Sequence, residues 1–315
     1  MSDYLQQYYS VNSFLNSDNW VLLNQIETSI KKKIEEKGVP LSDWNISINY
    51  GIKTGYNDAF IIDEATKNTL IASDPKSAEL IRPILRGKDI KRYTYQFADL
   101  WLIYVPWHFP LQNDPSIKGA SKKAEEELKK QYPAVYAYLE THKEKLSKRN
   151  KAETGIRYEW YALQRWGSNY SDDFNKQKII YPCIMSKQSS FMLDTLGKYY
   201  TVAPGNIITG SNLDYLIGCL NSKIYYFALR KFYMGGGIEG ELKTNRLLIL
   251  PVIMPNCINT KSYKIILDSG EAIQDYIKSK KLSSLDYAEE IIDVELAKAL
   301  DLTTSEYEYI IQYTF

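Results

Sequence analysis

The sequence has few of the residues that build disulfide scaffolds or zinc centres. Its three cysteines, Cys183, Cys219 and Cys257, are far apart, and its two histidines are His108 and His142. This spacing provides neither a disulfide framework nor a CxxC metal-binding motif. We therefore expect no disulfide-stabilised fold and no zinc site.

Membrane-spanning runs are lacking as well. No stretch approaches the about 18 uninterrupted apolar residues that a transmembrane helix needs. The N-terminal MSDYLQQYYSVNSFL does not follow the basic-then-apolar order of a signal peptide. With 315 residues, 44% hydrophobic and 24% charged, the chain is expected to fold as one large or two ordinary domains. We expect a cytoplasmic protein with no membrane partner.

Catalytic motifs are a third absence. The sequence contains no GxSxG, no HExxH, no NPPY-like or DPPY-like adenine-methylation motif and no glycine-rich methyl-donor loop. Glu241 and Lys243 have the ExK spacing of metal-dependent nucleases, but a three-letter pattern recurs by chance in a chain rich in Glu and Lys. We therefore expect no catalysis by this chain alone, with a nuclease that uses Glu241 and Lys243 as an alternative.

Tyrosine and unevenly placed charge are what the sequence has in excess. There are 27 tyrosines, and from Leu282 onward 8 acidic residues are opposed by Lys298 alone. Removing these leaves 30 acids and 38 bases in residues 1–281, a net charge of about +8. A basic, tyrosine-rich body suits a polyanion, since Lys and Arg neutralise phosphates and rings stack on bases. A solvated surface with half-buried tyrosines would explain the same composition.

Hydrophobic periodicity predicts a mixture of helices and strands. Helices are predicted over 20–37, 121–131, 134–150, 212–234, 261–281 and 285–300, with a last one beginning at a capping box from Thr303 to Glu306. Strands are predicted over 45–52, 59–63, 101–107, 178–185, 190–194 and 198–202. This order predicts an α+β fold: a mostly antiparallel β-sheet recognition lobe over residues 1–210, then a helical spacer and C-terminal helices over 211–315.

The segment GIKTGYNDAF (51–60) has the composition of a polar loop. Gly55 allows a positive φ, and Lys53 and Thr54 have side chains that reach a phosphate. The spacing is not that of a P-loop, and AFIID (59–63) is predicted as a strand rather than the helix that a P-loop requires. We interpret it as a tight turn between two strands, with or without a phosphate ligand.

Two further segments combine basic and aromatic residues. RPILRGKDIKRY places Arg82, Arg86, Lys88, Lys91 and Arg92 within eleven residues, a density of charge that favours a negative partner over a solvated loop. The block RYEWYALQRW (157–166) mixes guanidinium groups with large rings. Arginine pairs bidentately with guanine and rings stack on unstacked bases, whereas core packing is the alternative for the tryptophans.

These segments together resemble a known family. LSDWNISINYGIKTGYNDAFIID resembles the start of the target-recognition domain of type IIG restriction–modification enzymes, the family with a TaqI-like C-terminal specificity domain. The similarity continues in order through LIRPILRGKDIKRY, WLIYVPW, YEWYALQR, KIIYPCI, ITGSNLDYLIGCLNSKIYYFALRKFY and GGGIEGELKTNRLLILPV, from about Trp20 to the end.

The resemblance implies a module that selects the DNA sequence for an N6-adenine methyltransferase or endonuclease. Those catalytic parts are not in this sequence, so the chain is either an excised domain or a stand-alone specificity subunit. No cofactor is expected in it; S-adenosylmethionine and magnesium are expected only for the missing parts. The expected partners are double-stranded DNA and the catalytic domain or subunit. A protein-interaction module of a phage-defence system that binds no DNA is a further alternative.

From the resemblance and the segments above, we expect a set of DNA-binding residues. They are Lys53, Thr54, Tyr56, Asn57, Arg86, Lys88, Lys91, Arg92, Arg157, Tyr158 and Arg165.

Overall fold

A computed structural model describes residues 23–185, 187–234, 240–279 and 285–313. Helices and strands alternate irregularly through the first two thirds of the chain, and helices dominate the rest. The predicted α+β class with mostly antiparallel sheets is confirmed. Within the described residues, no helix is long and apolar enough to cross a membrane.

The first helix begins where its sequence provides a cap. The Asn24 side chain accepts a hydrogen bond from the Glu27 amide at 2.9 Å, and the Glu27 carboxylate accepts one from the Asn24 amide at 2.9 Å. This capping box satisfies two backbone donors that a helix start leaves unpaired. The predicted helix over 20–37 is therefore confirmed from residue 25, while residues 20–22 lie outside the described part.

Helices occupy the following positions in the described chain. They are α1 (Gln25–Lys37), α2 (Asn57–Phe60), α3 (Glu64–Ser73), α4 (Lys122–Gln131), α5 (Pro133–Glu140), α6 (Lys143–Lys148), α7 (Leu213–Asn221), α8 (Lys223–Ala228), which continues as a π-helical turn (Leu229–Tyr233), α9 (Thr244–Leu248), α10 (Thr260–Lys278), α11 (Leu285–Ala299) and α12 (Thr304–Gln312). The capping box predicted at Thr303 and Glu306 is present at the start of α12.

Strands form three sheets. They are β1 (Val39–Pro40), β2 (Ile46–Tyr50), β3 (Ile61–Asp63), β4 (Ile81–Leu85), β5 (Leu100–Ile103), β6 (Lys178–Pro182), β7 (Met192–Asp194), β8 (Tyr200–Thr201), β9 (Gly205–Gly210) and β10 (Pro251–Val252). The sheet orders are β1-β10, β2-β9-β6-β7 and β3-β5-β4-β8. Among these strands, β4 and β8 are the parallel pair and the other pairs are antiparallel.

The sheet β2-β9-β6-β7 separates two hydrophobic cores. Ile179 pairs with Ile208 and both enter one core, whereas their neighbours Ile180 and Ile207 pair and enter the other. Successive strand residues point to opposite faces, so this apolar run is buried on both sides. The core that we call the lobe core has its buried members between Ile52 and Ile207.

The other core, which we call the terminal core, joins the two ends of the described chain. It contains Ile30 and Ile34 of α1 together with apolar residues of α7, α8, α10, α11 and α12. Lys33 of α1 also pairs with Glu306 of α12 at 2.6 Å. The division of the chain at residue 210 into a recognition lobe and a spacer stays a prediction.

Three expectations about local structure are corrected. Ala59 and Phe60, predicted to begin a strand, lie in α2, and the strand begins only at Ile61. The predicted helix over 134–150 is divided into α5 and α6. Strand β9, which lies in the middle of its sheet, and helix α3 were not predicted at all.

The sheet at the centre of the fold contains a buried ion pair whose loss should be costly. Lys178 of β6 is fully buried, and its ammonium donates to Asp194 of β7 at 2.7 Å and to the Phe174 carbonyl at 2.7 Å. Lys178→Met would leave the Asp194 carboxylate buried without its cation. We expect the free energy of unfolding in urea to fall by about 3–5 kcal/mol.

The control for this prediction lies two residues away. Lys176 pairs with Asp173 at 2.9 Å on the surface. Because exposed pairs contribute about 0–1 kcal/mol, Lys176→Met should change the free energy of unfolding by less than about 1 kcal/mol. Equal losses in the two variants would contradict the special role of the buried pair.

Candidate nucleic-acid interface

The segment GIKTGYNDAF crosses from one four-stranded sheet to another. It leaves β2, which pairs with β9, and enters α2 and then β3, which pairs with β5. It is thus a connection between sheets, and the predicted tight turn between neighbouring strands is corrected. Lys53, Gly55 and Asn57 are exposed on this connection and Tyr56 is half-buried.

Thr54 has a different position from the other residues of this loop. It is 3% exposed, and its hydroxyl donates a hydrogen bond to Asn57 Oδ1 at 2.6 Å. The hydroxyl is therefore engaged within the loop, where it sets the loop's shape. In this structure Asn57, rather than Thr54, presents its side chain to the surface.

Arg149, which follows α6, ties this loop to the second predicted segment. Its guanidinium donates to the carbonyl oxygens of Thr54, Trp160 and Ala162, at 2.9 Å for Trp160. Burial lowers the Arg149 pKa to about 10, which still leaves the group charged at neutral pH. One half-buried cation therefore fixes the loop at 53–57 against the block at 157–166.

The backbone joins the same two segments directly. Lys53 and Arg165 exchange a pair of N–H to carbonyl hydrogen bonds, each at 2.9 Å. Arg165 and Arg157 both pair with Glu153 at 2.8 Å, and both guanidinium groups lie over the ring of Trp107, 5.8 and 5.5 Å from its centroid. Three predicted DNA-binding residues thus lie side by side.

Tyr158 is buried, whereas Lys53, Arg157 and Arg165 are exposed. Its ring is fully buried and stacks beneath Trp107, with ring centroids 4.8 Å apart and an interplanar angle of 16°. A base has no access to it, so we leave Tyr158 out of the candidate interface. The half-buried Trp107 is the ring near the surface, and only the strand pattern around it marked it in the sequence.

Tyr56 extends the surface towards α6. Its hydroxyl accepts a hydrogen bond from the Lys145 ammonium at 3.0 Å, and that ammonium also lies over the Tyr56 ring at 5.4 Å from the centroid. We call the surface formed by Lys53, Tyr56, Lys145, Arg157 and Arg165, with Trp107, the basic face.

The strand register brings the segment after β4 to the edge of this face. Leu85 and Ile52 pair in parallel with the chain at 201–202, on its two sides. The next residues, Arg86 and Lys53, therefore emerge at the same end of the sheet. Neighbouring strands are about 4.8 Å apart, so their backbones are about 10 Å apart across β8.

The basic residues that follow have unequal access to a partner. Lys88 is exposed, and the Lys91 ammonium donates to its carbonyl at 2.8 Å. Arg86 makes a bidentate pair with Asp89, at 2.8 and 2.9 Å, which holds the turn. Burial opposes ionisation of Asp89, but the Arg86 hydrogen bonds prevail and lower its pKa.

Arg92 points away from the basic face. It is half-buried and pairs with Glu289 of α11 at 2.9 Å. It therefore joins the lobe to the C-terminal helices, and a DNA contact would first have to break this pair. Arg92 shows why a basic run in sequence is not a basic surface.

Glu241 and Lys243, the residues with nuclease-like spacing, form an ion pair at 3.8 Å with each other. In the described part of the chain, no three His, Cys, Asp or Glu side chains are grouped so that they could hold a metal ion.

Comparison with known proteins identifies relatives of this fold. Residues 82–252, more than half of the chain, match the family model of the TaqI-like C-terminal specificity domain. The Type II methyltransferase M.MjaIV of Methanocaldococcus jannaschii is 23% identical over 199 residues. That match covers 60% of this chain and 57% of M.MjaIV, so the chain corresponds to little more than half of its relative.

The fold is also similar to that of a solved restriction-modification enzyme. The DNA complex of the type IIL restriction-modification enzyme MmeI superimposes with a TM-score of 0.55 at 16% identity, over 87% of this chain and 36% of MmeI. The type IIG restriction endonuclease BpuSI gives a TM-score of 0.48 at 13% identity, over 87% of this chain and 33% of BpuSI.

Removing the central cation should loosen the loop at 53–57. Arg149→Met leaves three carbonyl oxygens without their donor, so we expect the free energy of unfolding to fall by about 2–5 kcal/mol. Hydrogen exchange of the Lys53 amide should accelerate as well. Arg157→Met, which breaks an exposed pair, is the control and should cost less than about 1 kcal/mol; a comparable loss would argue against a special role for Arg149.

Two glycines test the close contact between the loop and Arg149. Gly55 and Gly155 both have φ of +77°, but an added Cβ would meet Arg149 Cδ and Gln164 Oε1 at 3.0 Å at Gly55 and nothing within 4 Å at Gly155. Gly155→Ala should cost about 1 kcal/mol for backbone strain alone. Gly55→Ala should cost more, measured by thermal unfolding; equal costs would mean that the contact yields easily.

Proposed function

Since this chain belongs to the family of TaqI-like C-terminal specificity domains, we propose that it is the DNA target-recognition module of a restriction–modification system. It would bind double-stranded DNA in the cytoplasm and direct an N6-adenine methyltransferase or endonuclease. Catalysis, S-adenosylmethionine and magnesium would belong to that separate domain or subunit.

The observation that carries this proposal is the assembly of the basic face from distant segments. Lys53 and Arg165 are 112 positions apart in the sequence and are held together by paired backbone hydrogen bonds and by Arg149. A surface that holds several cations together is electrostatically costly unless an anion neutralises it. A DNA backbone supplies such charge along its whole length.

The residues on this surface would divide the task of recognition. Phosphate contacts set the position of the protein on the duplex, and contacts with base edges provide specificity. We assign phosphate contacts to Lys53, Asn57 and Lys88, which are all exposed. Arg157 and Arg165 are suited to base edges because guanidinium groups bind guanine bidentately, and Glu153 with Trp107 holds them in place.

Five of the other predicted residues are already engaged within the protein: Arg86, Tyr56, Thr54, Lys91 and Arg92. Their side chains are engaged in the contacts with Asp89, Lys145, Asn57, the Lys88 carbonyl and Glu289, respectively. We propose that these contacts shape the loops, and that Arg86 and Tyr56 add DNA contacts where the duplex passes close to them.

The experiment is a binding selection with a randomised DNA duplex pool across a salt series, followed by sequencing of the bound fraction. Enrichment of a short motif that persists as salt rises is the expected result. Salt-sensitive binding without a motif would mean that the catalytic part completes the reading surface. Absence of binding would favour the protein-interaction alternative, and magnesium-dependent cleavage of the pool would favour the nuclease alternative.

Point variants test the basic face itself. The logarithm of the DNA-binding constant should fall against the logarithm of salt concentration with a slope of about −0.9 per neutralised phosphate. Lys53→Ala should therefore make this slope shallower by about one phosphate contact and leave the enriched motif unchanged. Arg165→Ala should relax the motif at one position. Lys264→Ala, the same change at an exposed site on α10, is the control; an equal effect there would indicate a nonspecific surface.

A further inference from the structure

A cavity of about 370 Å³ lies where α11 and α12 meet the start of α8. In contrast to the basic face, its charged lining is mostly acidic. Four carboxylates line it, those of Asp286, Glu290, Asp293 and Glu308, with Lys223 as the basic residue at its wall. Its volume is at the small end of the range of about 300–1,000 Å³ of ligand sites.

Asp293 is the unusual member of this group. It is 1% exposed, and its Oδ1 accepts hydrogen bonds from the backbone amides of Lys223 at 2.8 Å and Ile224 at 3.5 Å. Its Oδ2 has no hydrogen-bond partner in the described structure. A buried carboxylate oxygen without a donor is costly, so a cationic donor that enters the cavity would relieve it.

The surrounding charges favour a cation but not a chelated metal ion. Burial raises the Asp293 pKa to about 6, although the charge of Arg92 acts in the opposite direction. Since no group of three metal-ligating side chains occurs among the described residues, the carboxylates are too dispersed to surround one ion. A planar guanidinium, with its five N–H donors, can reach several separate carboxylates at once.

The apolar part of the cavity suits the aliphatic stem of a long basic side chain. Tyr307 and Ile311 of α12 line the cavity and are both half-buried. Burial and, after it, the negative charges of Asp293 and Glu290 raise the Tyr307 pKa to about 12. Long basic side chains lay their aliphatic stems on such surfaces while the charged end reaches polar groups.

We propose that this cavity is the binding site for an arginine side chain of a partner protein. The arginine stem lies along Tyr307 and Ile311. Its guanidinium donates to the carboxylates at the rim and, after a small shift of the side chains that now cover it, to Asp293 Oδ2. Tyr287, 69% exposed beside Asp286 on α11, offers a ring for the adjoining partner surface. This inference does not depend on DNA binding, because the acidic cavity repels phosphate.

The test is a titration of the whole chain with N-acetyl-arginine amide at low salt, followed by NMR of the Lys223 and Ile224 amides. A dissociation constant on the order of 1 mM is expected for a ligand of this size. N-acetyl-citrulline amide, which has nearly the same shape but no charge, should not bind. Equal binding of the citrulline or lysine analogue, or identical shifts with Mg²⁺ alone, would overturn the proposal.

Single variants test separately the contribution of the buried Asp293 carboxylate and that of the carboxylates at the rim, Glu290 and Glu308. Asp293→Asn and Glu290→Gln should each raise the dissociation constant of the arginine probe at least threefold. Glu126→Gln, on the exposed surface of α4, should leave that constant unchanged. If Asp293→Asn does not fold, Glu290→Gln and Glu308→Gln decide, and unchanged affinity in both would overturn the proposal. DNA binding should be unaffected in all of them, so failure here leaves the DNA proposal intact.

The pH dependence supplies an independent readout. Asp293 loses its proton as pH rises through about 6, so affinity for the arginine probe should increase between pH 5 and 7. The groups that face Asp293 and its cavity are Arg92, Lys223, Asp286, Glu289, Glu290, Tyr307 and Glu308. Glu290→Gln should keep this rise and Asp293→Asn should lose it; a rise that persists in Asp293→Asn would contradict the assignment.

Discussion

The guanidinium of Arg149 is the contact on which the basic face depends. Backbone carbonyls of the loop at 53–57 and of the block at 157–166 converge on it from two parts of the chain. Buried carbonyls need donors, and a lysine ammonium could not reach three of them with the same fixed geometry. The aromatic rings of Phe60 and Tyr158 lie near the same cation, 5.2 and 5.8 Å from it. A half-buried charge therefore holds together the surface on which other charges are exposed.

Charge segregation in sequence is converted into ion pairs across the fold. Three of the eight acidic residues after Leu282 pair with basic residues of the earlier chain: Glu306 with Lys33, Asp301 with Lys37 and Glu289 with Arg92, at 2.6, 2.6 and 2.9 Å. Composition alone suggests a basic body beside an acidic tail. In three dimensions, much of that asymmetry serves to attach the last helices to the first helix and to the lobe, and the acidic cavity is where carboxylates lack enough cations.

Sequence patterns predicted the elements whose signals are local. Capped helices such as α12 and apolar strands such as β6 were predicted because caps and periodicity act over a few residues. Strand β9 was missed because glycines bound a short apolar run, and Ala59–Phe60 were misassigned because the helix there is a single turn. Of the basic face, Lys53, Tyr56, Arg157 and Arg165 were predicted as DNA-binding residues, whereas Lys145 and Trp107 were not. Arg149 carried no signal, since a basic residue after a helix is ordinary until the fold brings carbonyls to it.

The sheet β2-β9-β6-β7 determines how the two ends of the molecule are related. Ile180 and Ile207 face the core beneath the basic face, and Ile179 and Ile208 face the core that holds α11 and α12. Close-packed interiors transmit displacement rather than absorb it, so a shift on one side of this sheet must be felt on the other. A partner anchored at the acidic cavity would consequently be held in a fixed relation to DNA on the basic face. Such rigidity is what a module needs if it is to place a catalytic site at a set distance from the sequence it reads.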